Sequence, residues 1–208
     1  IIKNKSNYSY NYISKNCIRF SKYTKDGQLD FIDLINPNIS FDFLGGIFLS
    51  VFRKKKWEKE IRRVKKKSLS NKNTFSDFDN TFPHIKIFAF AFKDSKAYFN
   101  SRPVIISLND VREWLSNYPL IRSVRLVEAL RLYRKNGLVF TKYYMYKNYS
   151  LQYFIPDMIY AYLNKEISGY NNFKSSEIFL SYFLYPNFYF SIFWYLKRKI
   201  SNYLATKK

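Results

Sequence analysis

Residues 107–159 read SLNDVREWLSNYPLIRSVRLVEALRLYRKNGLVFTKYYMYKNYSLQYFIPDMI, and the change of period within them sets the expected fold. Ser107 followed three residues later by Asp110 has the spacing of a capping box, and Leu108, Val111, Trp114, Leu115 and Tyr118 then recur on one helical face. Pro119 ends that helix or starts the next. The second helix, about 120–135, places Ile121, Val124, Val127, Leu130 and Tyr133 on its apolar side. Arg122, Arg125, Arg131, Arg134 and Lys135 are presented elsewhere on it, and Asn136-Gly137 closes it as a left-handed cap. Residues 138–144 (LVFTKYY) and 150–155 then have strand propensity, and Pro156-Asp157 makes a turn before Met158-Ile159. The expected unit is α+β: two basic helices followed by a small β-sheet.

On the N-terminal side, residues 53–67 read RKKKWEKEIRRVKKK, ten basic side chains against two acidic ones. Trp57, Ile61 and Val64 recur at helical spacing, and Glu58 with Arg62 and Lys56 with Glu60 stand one turn apart. The plain reading is a solvated surface helix; against the charge of the whole chain, a helix laid along phosphates is preferred, with Arg53, Lys54, Lys55, Lys56, Arg62, Arg63, Lys65 and Lys66 as its contacts. A Ser/Asn/Asp-rich linker follows at 68–81, and IKIFAFAF at 85–92 alternates like a strand. Residues 1–40 are polar and aperiodic, with turn signals at Asp26-Gly27 and Asn36-Pro37, and are expected to order only on a partner. The resulting division is an irregular basic extension (1–40), a basic helix with linker and strand (41–106), the compact module (107–167) and an aromatic C-terminal segment (168–208).

Composition bounds the function. The chain of 208 residues carries 36 Lys and Arg against 15 Asp and Glu, a formal net charge of +21. Nucleic acid and anionic membranes are the partners that neutralise such an excess. With 47% hydrophobic residues a core can form, so wholesale disorder is excluded. The 21 Phe and 20 Tyr stand beside abundant Lys, Ile and Asn, all encoded by codons rich in A and T. Organelle genomes and some protist nuclear genomes share that bias, so most individual tyrosines are read as compositional rather than as base-stacking platforms. Cys17 and His84 are the sole residues of their types, which leaves no intrachain disulfide and no zinc-binding cysteine pair, and their distance in sequence argues against a dedicated metal site or a Cys-His nucleophile. Gly45-Gly46 lacks the Lys-Ser/Thr of a phosphate-cradling loop. The chain is therefore expected to be non-enzymatic and to need neither metal nor cofactor. It starts at Ile1, so N-terminal targeting signals are not judged from it.

The order helix, helix, Gly, strand in residues 107–159 resembles the alpha-L RNA-binding motif of the universal small-subunit ribosomal protein four family. Arg131 stands six residues before Gly137, LVF follows, and Pro156-Asp157-Met158-Ile159 lies 19 residues beyond Gly137, near the position of that family's closing Gly-Asp pair. Lys142 replaces the Asn of the family's Val-Asn-Gly turn and Pro156 replaces the closing Gly. The lysine run ending in Trp57 and the tyrosine-rich stretch at 181–200 are similar to the N-terminal region and closing strand of organellar members. The likeness covers about a quarter of the chain. It implies a structural protein of the mitochondrial small ribosomal subunit, in the matrix, encoded in an AT-rich organelle genome, that binds ribosomal RNA beside neighbouring ribosomal proteins and serves translation. Arg122, Arg125, Arg131, Arg134, Lys135 and Lys142 would join the N-terminal run on the RNA. Trp57, Trp114, Leu115, Val127 and Leu130 would fix the helices to the core. Tyr143, Tyr144 and Tyr146 either stack on unpaired bases or pack, and packing is preferred. An RNA-recognition-motif reading of 135–144, with Gly137, Phe140 and Tyr143 as its signature, fails because the upstream helices leave no room for the first strand.

The rival reading is a single-span subunit of a mitochondrial respiratory or ATP synthase complex. Residues 178–196 carry no charge and Lys197-Arg198-Lys199 follows directly, as a positive-inside flank does. Against it, Pro186-Asn187 interrupts the segment and its aromatics are spread throughout instead of gathering at two interfaces, so an aromatic hairpin at Pro186-Asn187 is preferred.

Overall fold

The computed structural model describes residues 21, 23–37, 50–102 and 115–206, with side chains to residue 200. The first expected helix lies largely outside them. The described chain is mostly helical with one two-stranded antiparallel sheet, so α+β holds, but the sheet is elsewhere than expected. β1 (Gly27–Asp30) pairs with β2 (Lys96–Phe99) in the register Gly27↔Phe99 to Asp30↔Lys96. The last pair is an ion pair at 2.7 Å. Asp26 closes the other end of the ribbon by accepting from the Ser101 amide (2.7 Å) and hydroxyl (2.6 Å), and these bonds hold its carboxyl below the usual range.

α1 (Lys54–Glu60) continues through a 3-10 turn (Ile61–Arg63) and breaks at Val64, which is extended and buried, before the short α2 (Lys66–Leu69). One unbroken helix over 53–67 is thus corrected, and so are its ion pairs: Lys54 meets Glu58 at 3.3 Å and Arg63 pairs with Glu60. The cause of the break is buried Asp79, whose carboxylate accepts the Lys65 amide at 2.9 Å and the Lys86 ammonium at 2.8 Å, turning the chain so that Val64 points inward. The expected linker contains α3 (Phe78–Thr81), capped by Asp77, which accepts the Asn80 amide at 2.9 Å.

Residues 85–92 form no strand. α4 (Pro83–Ala91) starts with Pro at its first position and buries Ile85, Ile87, Phe88 and Ala89 on more than one side. A helix enclosed all round reads as a nearly continuous apolar run, which periodicity alone does not separate from a buried strand. Phe88 is its centre, in ring contact with Phe31 (6.3 Å), Phe52 (5.1 Å), Trp57 (5.6 Å) and Phe92 (5.4 Å).

The central helix was legible. α5 (Tyr118–Leu120) passes through a π-helical turn (Ile121–Arg125) into α6 (Leu126–Lys135). All five expected apolar residues are buried, but they divide: Ile121, Leu130 and Tyr133 enter one core with Phe31 and Phe88, while Val124 and Val127 enter a second with Leu151, Phe154 and Tyr182. The π turn helps to explain how residues 123–127 are all buried, since one stripe of a regular helix cannot hold five in succession. Gly137, at φ 114°, carries the chain out, and the Leu138 amide donates to the Tyr133 carbonyl at 3.0 Å in the long bond of a Schellman cap.

Beyond the cap, the expected strands at 138–144 and 150–155 and the turn at Pro156-Asp157 are helical from Phe140 onward. α7 (Phe140–Ser150) leads through a 3-10 turn (Leu151–Tyr153) into α8 (Phe154–Leu163). Pro156 is the third residue of α8, where a helix has no acceptor for the missing N–H. After Gly169 (φ 69°) come α9 (Ser175–Tyr182) and α10 (Pro186–Thr206). The expected aromatic hairpin at Pro186-Asn187 is instead a helix start, held by Asn187 donating its amide to Asn148 Oδ1 (2.9 Å) and its Nδ2 to the Asn148 carbonyl (2.8 Å). Among the described residues no helix is long and apolar enough to cross a membrane, because Lys197, Arg198 and Lys199 lie within α10.

Candidate nucleic-acid interface

The basic run keeps its charges outside. All ten basic side chains of residues 53–67 are exposed, while Trp57 packs on Phe88 of α4 and Val64 is buried. Trp57 stacks on Phe52 at 5.0 Å. Two of the ten make ion pairs, Lys54 and Arg63; the Arg63 guanidinium also lies 3.9 Å from the Phe90 ring. Lys56 donates to Ser95 Oγ at 2.6 Å. Arg53, Lys55, Lys56, Lys59, Arg62, Lys65, Lys66 and Lys67 have no acidic partner among the described residues. Eight unneutralised cations within 15 residues repel one another unless an anion lies between them.

A second group of cations stands beside this run. Arg131 and Lys135 of α6 and Lys86 of α4 line an open cleft of about 180 Å³ with Phe78, Leu132, Asp79 and Glu128. Asp79 is the joint, since its carboxylate also takes the Lys65 amide at the start of α2. Arg131 and Arg134 are exposed and lightly held, donating to Ser181 Oγ (3.2 Å) and the Leu138 carbonyl (3.3 Å) respectively. The structure therefore brings the end of the N-terminal run next to Arg131 and Lys135. Lys86 was hidden in the sequence because residues 85–92 read as a strand; Lys59 and Lys67 belong to the same run as the predicted contacts and share their exposure.

Three expected contacts serve the fold instead. Arg125 is 3% exposed, pairs with both Glu128 oxygens (3.0 and 2.9 Å) and donates from Nη2 to the carbonyls of Ser76 (2.8 Å), Phe75 (3.1 Å) and Asn172 (3.3 Å). Phe75, held in the left-handed region at φ 67°, is fixed in part by this clamp. Arg122 pairs with buried Asp157, which also accepts from Ser123; burial raises the Asp157 carboxyl and these partners pull it back only in part. Lys142 pairs with Asp33 at 2.6 Å, which raises its pKa. A helical pattern shows which side chains leave the apolar stripe, not which of them meet a second layer of protein.

The tyrosines of α7 pack. Tyr146 is buried, and Tyr144 stacks on Tyr185 at 4.7 Å while donating to the Leu184 carbonyl at 3.2 Å. Leu115, expected as a core anchor, is 60% exposed, and Trp114 lies outside the described residues. No three His, Cys, Asp or Glu side chains converge as metal ligands among the described residues. No known family, curated protein or solved structure matches the chain.

Proposed function

We propose that this protein is a structural, RNA-binding constituent of an organellar small ribosomal subunit, that of the mitochondrion. The observation that carries the reading is the solvent-facing basic segment at 53–67, anchored by Trp57 and with Val64 buried, with eight cations lacking acidic partners among the described residues. Folded RNA is recognised largely through phosphates and shape, and such a segment suits that mode without base reading. Arg131, Arg134 and Lys135 extend the surface, whereas Lys86 is held by buried Asp79; guanidinium forks bind phosphate oxygens bidentately. Arg122, Arg125 and Lys142 are left out of it, because each is committed to partners within the chain.

The likeness to the ribosomal protein four family enters this proposal only through the arginine-bearing helix and its Gly137 cap, since residues 140–150 and 154–163 are helical where that family has its small sheet. The organellar assignment rests on the composition, which joins an AT-type amino-acid bias to a charge of +21. The reading is tested by density-gradient sedimentation of the tagged full chain from mildly solubilised organelles. Co-migration with small-subunit RNA that nuclease abolishes supports it. Nuclease-insensitive migration with a respiratory or ATP synthase complex supports the membrane-subunit reading instead.

A further inference from the structure

The C-terminal helices α9 and α10 are the part of the molecule that the RNA reading leaves unused. α10 packs inward through Phe188, Ser191 and Tyr195; Ser191 is fully buried and its Oγ accepts the Ile155 amide at 3.3 Å. On the opposite side Tyr189, Phe193, Leu196 and Ile200 recur at intervals of four, three and four, which is one continuous stripe of a helix. All four are more than half exposed, and Phe190 and Trp194 widen the stripe on one edge. The preceding α9 and the turn after it add Leu180 and Leu184, 72% and 70% exposed. Apolar residues in such number and continuity mark an interaction surface rather than ordinary solvent exposure.

We infer that this stripe is a docking surface for an anionic phospholipid bilayer, on which α10 lies in the interface plane. Three features select lipid over other occupants. From Ile178 to Lys208 the sequence holds no acidic residue but five basic ones, Lys197, Arg198, Lys199, Lys207 and Lys208, complementary to a negatively charged leaflet. The stripe combines Trp and Tyr, which favour the headgroup level, with Phe, Leu and Ile, which favour the acyl boundary. Lys197 flanks the stripe with its ammonium 5.0 Å from the Trp194 ring, an arrangement in which the charge stays at the headgroups while the stem lies along the apolar face. Leu180, Leu184, Leu196 and Ile200 offer nothing for a base to stack on, so RNA does not account for the surface. α10 is about 32 Å long at helical rise, and lying flat it keeps Lys197, Arg198 and Lys199, at its middle, out of the hydrocarbon that a spanning orientation would force them into. The inference stands on a surface separate from the basic run and does not depend on the ribosomal reading.

The test uses nuclease-treated full-length protein floated with vesicles of phosphatidylcholine alone or of phosphatidylcholine with phosphatidylserine. The protein is expected to float with the anionic vesicles. Phe193→Ser combined with Trp194→Ser should weaken that binding roughly tenfold or more, with far-ultraviolet circular dichroism and RNA affinity unchanged. Lys197→Gln, Arg198→Gln and Lys199→Gln together should remove the preference for anionic over neutral vesicles. Failure of the unaltered protein to float overturns the inference. So does flotation that is insensitive to the Phe193/Trp194 change, since binding would then come from the basic run at 53–67 alone. A concentration-dependent dimer that the same change dissolves, without vesicle binding, would make the occupant a second copy of the chain and equally overturn it.

Discussion

Replacing Lys147 with Met should remove a calculable part of the pH dependence of this protein's stability. Lys147 is 4% exposed; its ammonium donates to the Ser181 carbonyl at 3.0 Å and sits 4.7 and 4.4 Å from the rings of Tyr182 and Tyr185. Burial, reinforced by the charge of Arg131, lowers its pKa from 10.5 to about 8. That gap corresponds to about 3 kcal/mol of preference against the charged form in the folded chain. Because the folded state holds this proton less tightly than the unfolded state, the penalty is complete below about pH 8 and is relieved as pH rises towards the unfolded value. Between about pH 7 and about pH 9.5 roughly 2 kcal/mol should be recovered. The neutral amine still donates to Ser181, so the packing is kept. Urea unfolding of both proteins at the two pH values isolates the effect, since every other titrating group is common to them. Tyr185, pushed up to about 12 by burial, and Tyr182, pushed higher still, remain neutral throughout. The unaltered protein should gain about 2 kcal/mol relative to Lys147→Met across that interval. A difference that does not change with pH would refute the burial of a charged Lys147.

Arg125→Met should cost about 3 kcal/mol, because the carbonyls of Phe75, Ser76 and Asn172 lose their shared donor inside the protein. Chemical denaturation reads that loss; weakened RNA binding at unchanged stability would instead return Arg125 to the interface. Gly169→Ala should destabilise by about 1–3 kcal/mol, since a Cβ at φ 69° would stand 2.7 Å from Leu120 Cδ2 and 2.9 Å from Asn117 Oδ1, and a melting temperature equal to that of the unaltered chain would contradict this geometry.

The helix at 120–135 was legible because its apolar residues recur at 3.6 and its end carries Asn136-Gly137, signals that concern local backbone alone. Trp57 as an anchor was legible for the same reason. The strands expected at 85–92, 138–144 and 150–155 were not there, and the causes are shared. Phe, Tyr and Ile are abundant throughout the chain, so β-favouring residues no longer discriminate, and a helix buried on several sides loses its polar stripe. Pro156 read as a turn because the boundary of α8, two residues earlier, has no side-chain cap to announce it. At the candidate interface the sequence located the cations at 53–67 but not the fate of Arg122, Arg125 and Lys142. Their acidic partners, Asp157, Glu128 and Asp33, lie between three and 109 residues away, and pairing over most of such distances is a property of the folded chain.

The central claim is that the exposed run at 53–67 binds RNA through phosphates. It is tested most directly by the salt dependence of binding to a small-subunit ribosomal RNA transcript, comparing the full chain with a Lys55→Gln, Arg62→Gln, Lys66→Gln variant. These side chains are exposed and lack acidic partners among the described residues, so the fold should be unaffected. Each lost phosphate contact lowers the slope of log affinity against log salt by about 0.7 to 0.9, so the variant's slope should be shallower by about 2 to 3 with affinity reduced at every salt concentration. An unchanged slope and affinity would remove the run from the interface and contradict the account.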